Sequence, residues 1–352
     1  MKVLITGGAG FIGSDLAKRF VESGTSVEVV VFDNLRRRGA ELNLAIFKEL
    51  GIRFVHGDIR NFSDFVACGT DFDLFIEASA EPSVLAGINE EPDYVVETNL
   101  LGAFNCLKFA RRHARKFLFL STSRVYSIEP LRSIALDETP TRFVIKKEQI
   151  LTGVSTAGVS EEFSTSLPRS LYGATKLAAE YLVQEFTSTY GLDSIIYRCG
   201  VIAGPGQFGK VDQGVFTLWV ARHYFHKPLQ YTGFGGSGKQ VRDLLHPADL
   251  FDLINLDVSD RKPGDVYNVG GGLQISVSLA ELTDICRKVV GTTVPIGAAA
   301  ESSPVDIPLF ISDSRRISSD TGWQPTRGVE VIVSDIFNWI RKNETALRPI
   351  FT

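Results

Sequence analysis

Thr6-Gly7-Gly8-Ala9-Gly10-Phe11-Ile12-Gly13 decides the fold of this 352-residue chain. Val3 to Thr6 reads as a short apolar strand, and the periodic stretch from about Ile12 to Ser23 as a helix that stops at Gly24. Gly8, Gly10 and Gly13 satisfy G-x-G-x-x-G between strand and helix, and Gly7 adds one more glycine at the strand end. Early glycines permit a tight turn and close approach of a diphosphate; the last lets the helix pack on the strand. Free amides at the helix start can then hold phosphates. Taken alone, the same glycines also describe a tight turn with no ligand. Asp33 weighs against that, because it ends the second strand 20 residues after Gly13. A carboxylate there accepts hydrogen bonds from both ribose hydroxyls of an adenosine and repels a 2′-phosphate, which favours NAD over NADP. Arg36-Arg37-Arg38 pull the other way, since a guanidinium can take a 2′-phosphate.

Outward from this turn the same rhythm repeats. Ser26 to Phe32, Arg53 to His56, Leu74 to Glu77, Phe117 to Ser121 and Ser194 to Tyr197 read as strands. Helical patterns fill the gaps, notably Tyr94 to Ala114 and Tyr172 to Thr189. Such alternation predicts an α/β fold, a Rossmann-type doubly wound parallel sheet covered on both faces. We expect a dinucleotide-binding domain over 1–198, borrowing a strand or helix from about 240–256, and a smaller α+β substrate domain over 199–352. Residues from about Ser127 to Ser170 are polar with little periodicity, which in a compact domain means a functional or partly self-structured segment.

Composition removes other classes. Apolar residues are 44% and charged residues 22%, an ordinary globular balance, and a net charge of −4 leaves no basic footprint for nucleic acid. No run of about 18 apolar residues is present to span a membrane. The N-terminus runs straight into a strand pattern without a leader, so a cytoplasmic protein is expected. Cys68, Cys106, Cys199 and Cys286 form no CxxC pair and read as buried thiols in a reducing compartment. His223 and His226 lie three apart without a third ligand, so capping roles are expected rather than metal. His246 is left without an assigned role. Glu161-Glu162 reads as a solvated loop.

Tyr172-Gly-Ala-Thr-Lys176 opens a helix, and i to i+4 spacing puts both side chains on one face. A phenol near pKa 10 is a poor base at neutral pH, but a nearby ammonium and a positive nicotinamide ring favour the phenolate. It can then take a proton from a sugar hydroxyl while a cofactor takes hydride from the same carbon. Lys176 can also hydrogen-bond the nicotinamide ribose. The bland alternative is a surface Tyr and Lys on an amphipathic helix. The strand end Leu120-Ser121-Thr122-Ser123-Arg124 adds hydroxyls where strand C-termini line a ligand crevice.

These motifs, with His56-Gly57-Asp58-Ile59, Asn99 and Gly322-Trp323-Gln324-Pro325, resemble the extended short-chain dehydrogenase/reductase family over nearly the whole chain. The resemblance implies that Thr122 partners Tyr172 and Lys176 in catalysis. It implies cofactor contacts from Gly7, Gly10, Phe11, Ile12, Gly13, Asp33, Asn34, Arg38, Asp58, Ile59, Ala78, Ala80 and Asn99, besides Tyr172 and Lys176. A narrower likeness, to CDP-paratose (CDP-tyvelose) 2-epimerases, rests on Phe32 to Leu35, Arg124, Asp137-Glu138-Thr139, Gln207-Phe208, Asp212-Gln213-Gly214, Trp219 and Gly238 to Asp243. It implies that Ser123, Arg124, Gln207, Gln213, Gln240 and Arg242 bind the nucleotide sugar, with the Arg242 fork suited to a diphosphate.

The reaction implied is epimerisation at C2 of a CDP-3,6-dideoxyhexose, a sugar of lipopolysaccharide O-antigen, by transient oxidation and hydride return. A UDP-sugar 4-epimerase, an exchangeable-cofactor reductase and a silent dinucleotide-binding sensor are the other readings. A homo-oligomer through a helix pair is implied too. The chain departs from the pattern at Glu77 to Glu81, where a His-x-Ala-Ala run is usual, and at Pro308, where a D-x-R arginine is usual. A dehydratase of the family would carry an Asp-Glu pair at the positions of Ser123 and Arg124.

Overall fold

A computed structural model describes residues 1–24, 26–88, 91–209, 213–256 and 262–351. The central sheet is built from β1 (Lys2–Thr6), β2 (Glu28–Asp33), β3 (Arg53–His56), β4 (Phe72–Glu77), β5 (Ala114–Thr122), β6 (Asp193–Cys199) and β7 (Asp265–Val269). Its order is β7-β6-β5-β4-β1-β2-β3. Pairing from β5 through β4 and β1 to β3 is parallel. The principal helices about it are α1 (Phe11–Glu22), α2 (Asn43–Leu50), α3 (Ala103–His113) and α4 (Leu171–Tyr190). The doubly wound expectation holds. Parallel pairing puts the last residues of β1, β4 and β5, namely Thr6, Glu77 and Thr122, at one edge. Thr6 is paired with Glu77, and Glu77 with Phe119.

The sequence places a single helix over Tyr94 to Ala114, and here a finer structure appears. The helical stretch begins at Asp93–Val96, widens into a π-type turn over Glu97–Gly102, and resumes as α3. The wide turn sits where Gly102 meets Ile59: a Cβ on Gly102 would come within 2.5 Å of the Ile59 side chain.

Two compact units form. The first comprises Met1–Val125, Ser170–Arg198 and Phe251–Tyr267; the second comprises Tyr126–Arg169, Cys199–Leu250 and Asn268–Thr352. Two details differ from the expected division. The polar segment Tyr126–Arg169 belongs to the second unit and carries its own elements: a short helix (Ile128–Arg132) and two antiparallel pairs, Leu136–Glu138 with Phe143–Ile145 and Val154–Ser155 with Gly158–Val159. Of the expected 240–256 segment, the part from Phe251 onward joins the first unit, while the strand that the central sheet takes from late in the chain is β7. Strand Val241–Leu245 instead pairs with Val201–Ile202, Ser276–Ser278 and Leu309–Phe310 in the second unit's own small sheet.

Each unit has its own apolar core. Phe32, Phe65, Phe75, Phe109, Phe117 and Phe119 dominate the first, between sheet and helices. Trp219, Leu282, Ile332, Ile336 and Ile340 dominate the second. Trp323 closes part of the second unit, its indole N–H donating to Asp249 O at 2.9 Å. All four cysteines are buried thiols outside any disulfide, two in the first core (Cys68, Cys106) and one in the second (Cys286). Burial pushes the Cys68 thiol up to about 12 and the Cys106 and Cys286 thiols up as well. Among the described residues no helix is long and apolar enough to cross a membrane.

Candidate active site

The glycine turn is shaped by contact. Gly7 has φ +64°, and a Cβ on it would strike Ala78 O at 2.7 Å; a Cβ on Gly13 would strike Gly7 O at 2.3 Å. Backbone atoms cannot retreat from such overlaps, so both positions demand glycine. Gly10 caps α1 without a side chain, and the first bond of the helix is Ser14 N–H to Gly10 O at 2.9 Å. The amides of Phe11, Ile12 and Gly13 therefore open the helix with no side-chain cap, at its positive end.

Asp33 ends β2 beside this turn. Its carboxylate accepts from Ala9 N–H at 3.1 Å and Leu35 N–H at 2.7 Å. Two bonds leave lone pairs on both oxygens for further donors. Burial raises its pKa, and these backbone donors oppose the rise. Asn34 donates to Asp58 Oδ2 at 2.9 Å, and Arg60 also binds that carboxylate. These partners hold Asp58 at about 2, so it is ionised at neutral pH. Ile59, the next residue, is buried. Arg36 stacks on Tyr94, 3.9 Å from the ring centroid. Arg38 is exposed.

Tyr172 and Lys176 are where the helical spacing put them, at the start of α4, which Ser170 caps through Gly173 N–H. Both are buried, at 9% and 2% exposure, which removes the surface reading. α4 packs on β5 and on the turn Ser123–Val125 that follows it. Thr122, the last residue of β5, is buried, and its Oγ1 accepts from Arg124 N–H at 3.2 Å. Ser121 donates from its hydroxyl to Glu180 Oε1. Glu180 is also gripped by Arg198, with contacts of 3.1, 3.1 and 2.7 Å.

Asn99 and Ala78, two of the expected cofactor neighbours, also make hydrogen bonds within the protein. Asn99, 1% exposed, uses its amide to hold the chain after β4, accepting from Glu81 N–H at 2.8 Å and donating to Glu81 O at 3.0 Å and Thr175 Oγ1 at 3.3 Å. Ala78 N–H donates to Thr6 O at 3.2 Å, which ties the end of β4 to the glycine turn. Ala80 is half-buried two residues further on. Sequence reading missed one charge here. The Glu77 carboxylate, 1% exposed, lies 3.6 Å from Lys176 Nζ.

The residues expected to bind substrate fall in two places. Ser123 and Arg124 follow Thr122 in the first unit. Gln207, Gln213, Gln240 and Arg242 belong to the second, and Asp212 lies outside the described residues. Gln207 spends its amide internally, donating to Ile202 O at 3.1 Å and accepting from Thr217 at 2.7 Å. Gln240 donates to Thr232 O at 2.9 Å, while its Oε1 and that of Gln213 are buried without a hydrogen-bond partner. Arg242 leans on Ile307 O at 2.9 Å.

Beside Pro308 an open cavity of about 600 Å³ is lined by Arg132, Phe234, Ser302 and Pro304. Arg132 reaches Asp306 O and Ser303 O, each at 2.7 Å, so a guanidinium stands next to the proline that lacks one. Only a fold that joins 132 to 303–306 could reveal it. Among the described residues no cluster suits a metal ion. His223 is buried against Thr292 O at 3.0 Å rather than capping at the surface. Glu161 is not merely solvated: it accepts from Asn268 N–H at 2.7 Å.

Residues 3–270 match the NAD dependent epimerase/dehydratase family, and the chain belongs to that family. A CDP-paratose 2-epimerase of Salmonella typhi is 31% identical over 96% of this chain and 99% of its own length. A dTDP-glucose 4,6-dehydratase of Salmonella typhimurium is 27% identical over 97% of this chain and 93% of its own. Among solved structures, a dTDP-glucose 4,6-dehydratase from Streptomyces venezuelae with NAD bound shares a TM-score of 0.78 at 25% identity, covering 99% of this chain and 100% of that one. The cofactor is NAD. Uncapped amides at the start of α1 and spare acceptor capacity on Asp33 fit such a group.

Proposed function

We propose that this chain interconverts epimers of a nucleotide-linked sugar, at C2 of a CDP-3,6-dideoxyhexose, the CDP-paratose to CDP-tyvelose type of reaction. The observation that carries the reading is the burial of Tyr172 and Lys176 on one helix packed against the end of β5. When bound, NAD supplies a hydride acceptor that later gives the hydride back. Tyr172 takes the proton from the hydroxyl on the reacting carbon, and the Lys176 ammonium favours the phenolate that does so. Thr122 has its oxygen engaged by Arg124 N–H, so its own O–H is left to donate to the reacting oxygen. Phe11, Ile12 and Gly13 offer amides to the diphosphate of the cofactor, Asp33 accepts from its adenosine ribose, and Asp58 and Ile59 flank the adenine.

Support for the CDP-linked substrate comes from the resemblance of Gln207 to Asp243 and from the epimerase relative at 31% identity. Ser123 and Arg124 put no carboxylate after Thr122, which favours epimerisation over elimination. Arg242 and Arg132 are cations for the sugar nucleotide's diphosphate. Leu101, Phe104 and Tyr181, at 52%, 39% and 55% exposure, favour a homo-oligomer through α3, the wide turn before it and α4. The setting is the cytoplasm.

Purified protein incubated with CDP-paratose should yield CDP-tyvelose by NMR with no accumulation of free NADH. Tyr172→Phe should lower turnover by roughly 10²- to 10⁴-fold. Near-normal turnover by that variant overturns the assignment of the base. Steady NADH release marks a dehydrogenase instead. Epimerisation of a UDP-sugar alone moves the same chemistry to another substrate, and NAD retention with no turnover of any nucleotide sugar marks a sensor.

A further inference from the structure

We propose that Glu77 is a positioning residue of the proton-handling pair: its carboxylate fixes the Lys176 ammonium and sets the acidity of Tyr172. The inference rests on the reading of Tyr172 and Lys176 given above.

Glu77 is the last residue of β4, and its neighbour in register on β5 is Phe119. Lys176 Nζ lies 3.6 Å from Glu77 Oε2 and 3.9 Å from the centre of the Phe119 ring. The ammonium is therefore held between a carboxylate and an aromatic face, at 2% exposure. Ser79 N–H donates to Glu77 Oε1 at 3.0 Å, while Oε2 is the oxygen that faces Lys176. A carboxylate left like this at the end of a central strand is costly unless its charge is used. Burial pushes the Glu77 acid up, and Lys176 opposes that rise.

Two uncharged groups also lie beside the pair. Cys106, on α3, is a thiol pushed well above its ordinary range by burial. Thr6, on β1, is paired in register with Glu77 and offers a neutral hydroxyl. Among the described residues, Glu77 is the carboxylate that ion-pairs with Lys176. A bare ammonium next to Tyr172 would draw the phenol far toward phenolate. The Glu77 charge cancels part of that field, so the phenol keeps its proton to a higher pH. Such tempering suits a group that must give a proton back as readily as it takes one.

The test titrates Tyr172 itself, in NAD-loaded full-length protein carrying tyrosine labelled with ¹³C at Cζ. The Tyr172 signal is identified by its loss in Tyr172→Phe. In Glu77→Gln, Tyr172 should ionise about one pH unit lower than in the unsubstituted protein. Glu77→Asp, which withdraws the charge by one methylene, should move it the same way by less. In Lys176→Met the phenol should ionise higher. A Tyr172 titration that stays within ~0.3 unit of the unsubstituted protein in Glu77→Gln, or rises, overturns the inference. If Glu77→Gln does not fold, Glu77→Asp is read by the same criterion of direction. These readouts need no substrate. Turnover surviving Tyr172→Phe would sink the parent reading, whereas a dead Tyr172→Phe with an unmoved titration in Glu77→Gln sinks only the role of Glu77.

Discussion

Replacing Arg198 by Met strands a carboxylate under the catalytic strand. Glu180 is 1% exposed and Arg198 8%. Their three contacts are 2.7 to 3.1 Å, and a fourth bond to Glu180 comes from the Ser121 hydroxyl. Removing one partner of a buried pair costs about 3–5 kcal/mol, because the other charge is left in a dry site. Ser121 still donates to one oxygen, which places Arg198→Met near the lower end, about 3 kcal/mol. That is a large share of a domain stability of about 5–15 kcal/mol. The companion variant removes both charges: Glu180→Met/Arg198→Met should return to within about 1 kcal/mol of the unsubstituted protein. Urea unfolding followed by circular dichroism measures both. Because Ser121 adjoins Thr122, the single variant should also lose turnover. A cost below about 1 kcal/mol, or a double variant no more stable than the single one, would show that the pair behaves like an exposed ion pair and refute the reasoning.

Gly13→Ala drives a Cβ to 2.3 Å from Gly7 O and 2.6 Å from Gly8 Cα, so NAD should no longer raise the melting temperature of the variant. An undiminished thermal shift would mean that the turn does not hold the cofactor. Asp243 is buried and its carboxyl is pushed up to about 6 from 3.8, chiefly by desolvation. The folded state then holds a proton that the unfolded state has released, so stability falls as pH rises from about 4 to about 6 and levels off above, a loss of about 3 kcal/mol. Asp243→Asn should flatten that slope in urea titrations at each pH, and an unchanged slope would move the effect to another group.

The legible parts of this protein are the local ones. The glycine turn, the strand cores and the Tyr172–Lys176 face are written within a few residues, in spacing that backbone geometry converts directly into structure. The segment Tyr126–Arg169 was opaque because its strands run only two or three residues, too short to show a period. Its membership in the second unit is a matter of contacts far along the chain. Glu77 was visible only as a departure from a family pattern, since its partner lies 99 positions on. Gln207 and Asn99 show the converse difficulty. A side-chain amide that anchors a loop and one that awaits a ligand are the same letter, and only the geometry of their bonds separates them.

The buried thiols give this protein a set of internal clocks. Cys68 and Cys106 are sealed in one core and Cys286 in the other, all at 0% exposure. Their pKa values, raised by burial, leave almost no thiolate at neutral pH. An alkylating reagent can therefore mark each of them only at the rate at which its own core opens. Mass-resolved labelling of the native chain would time the breathing of the sheet and of the second core separately, without introducing any probe.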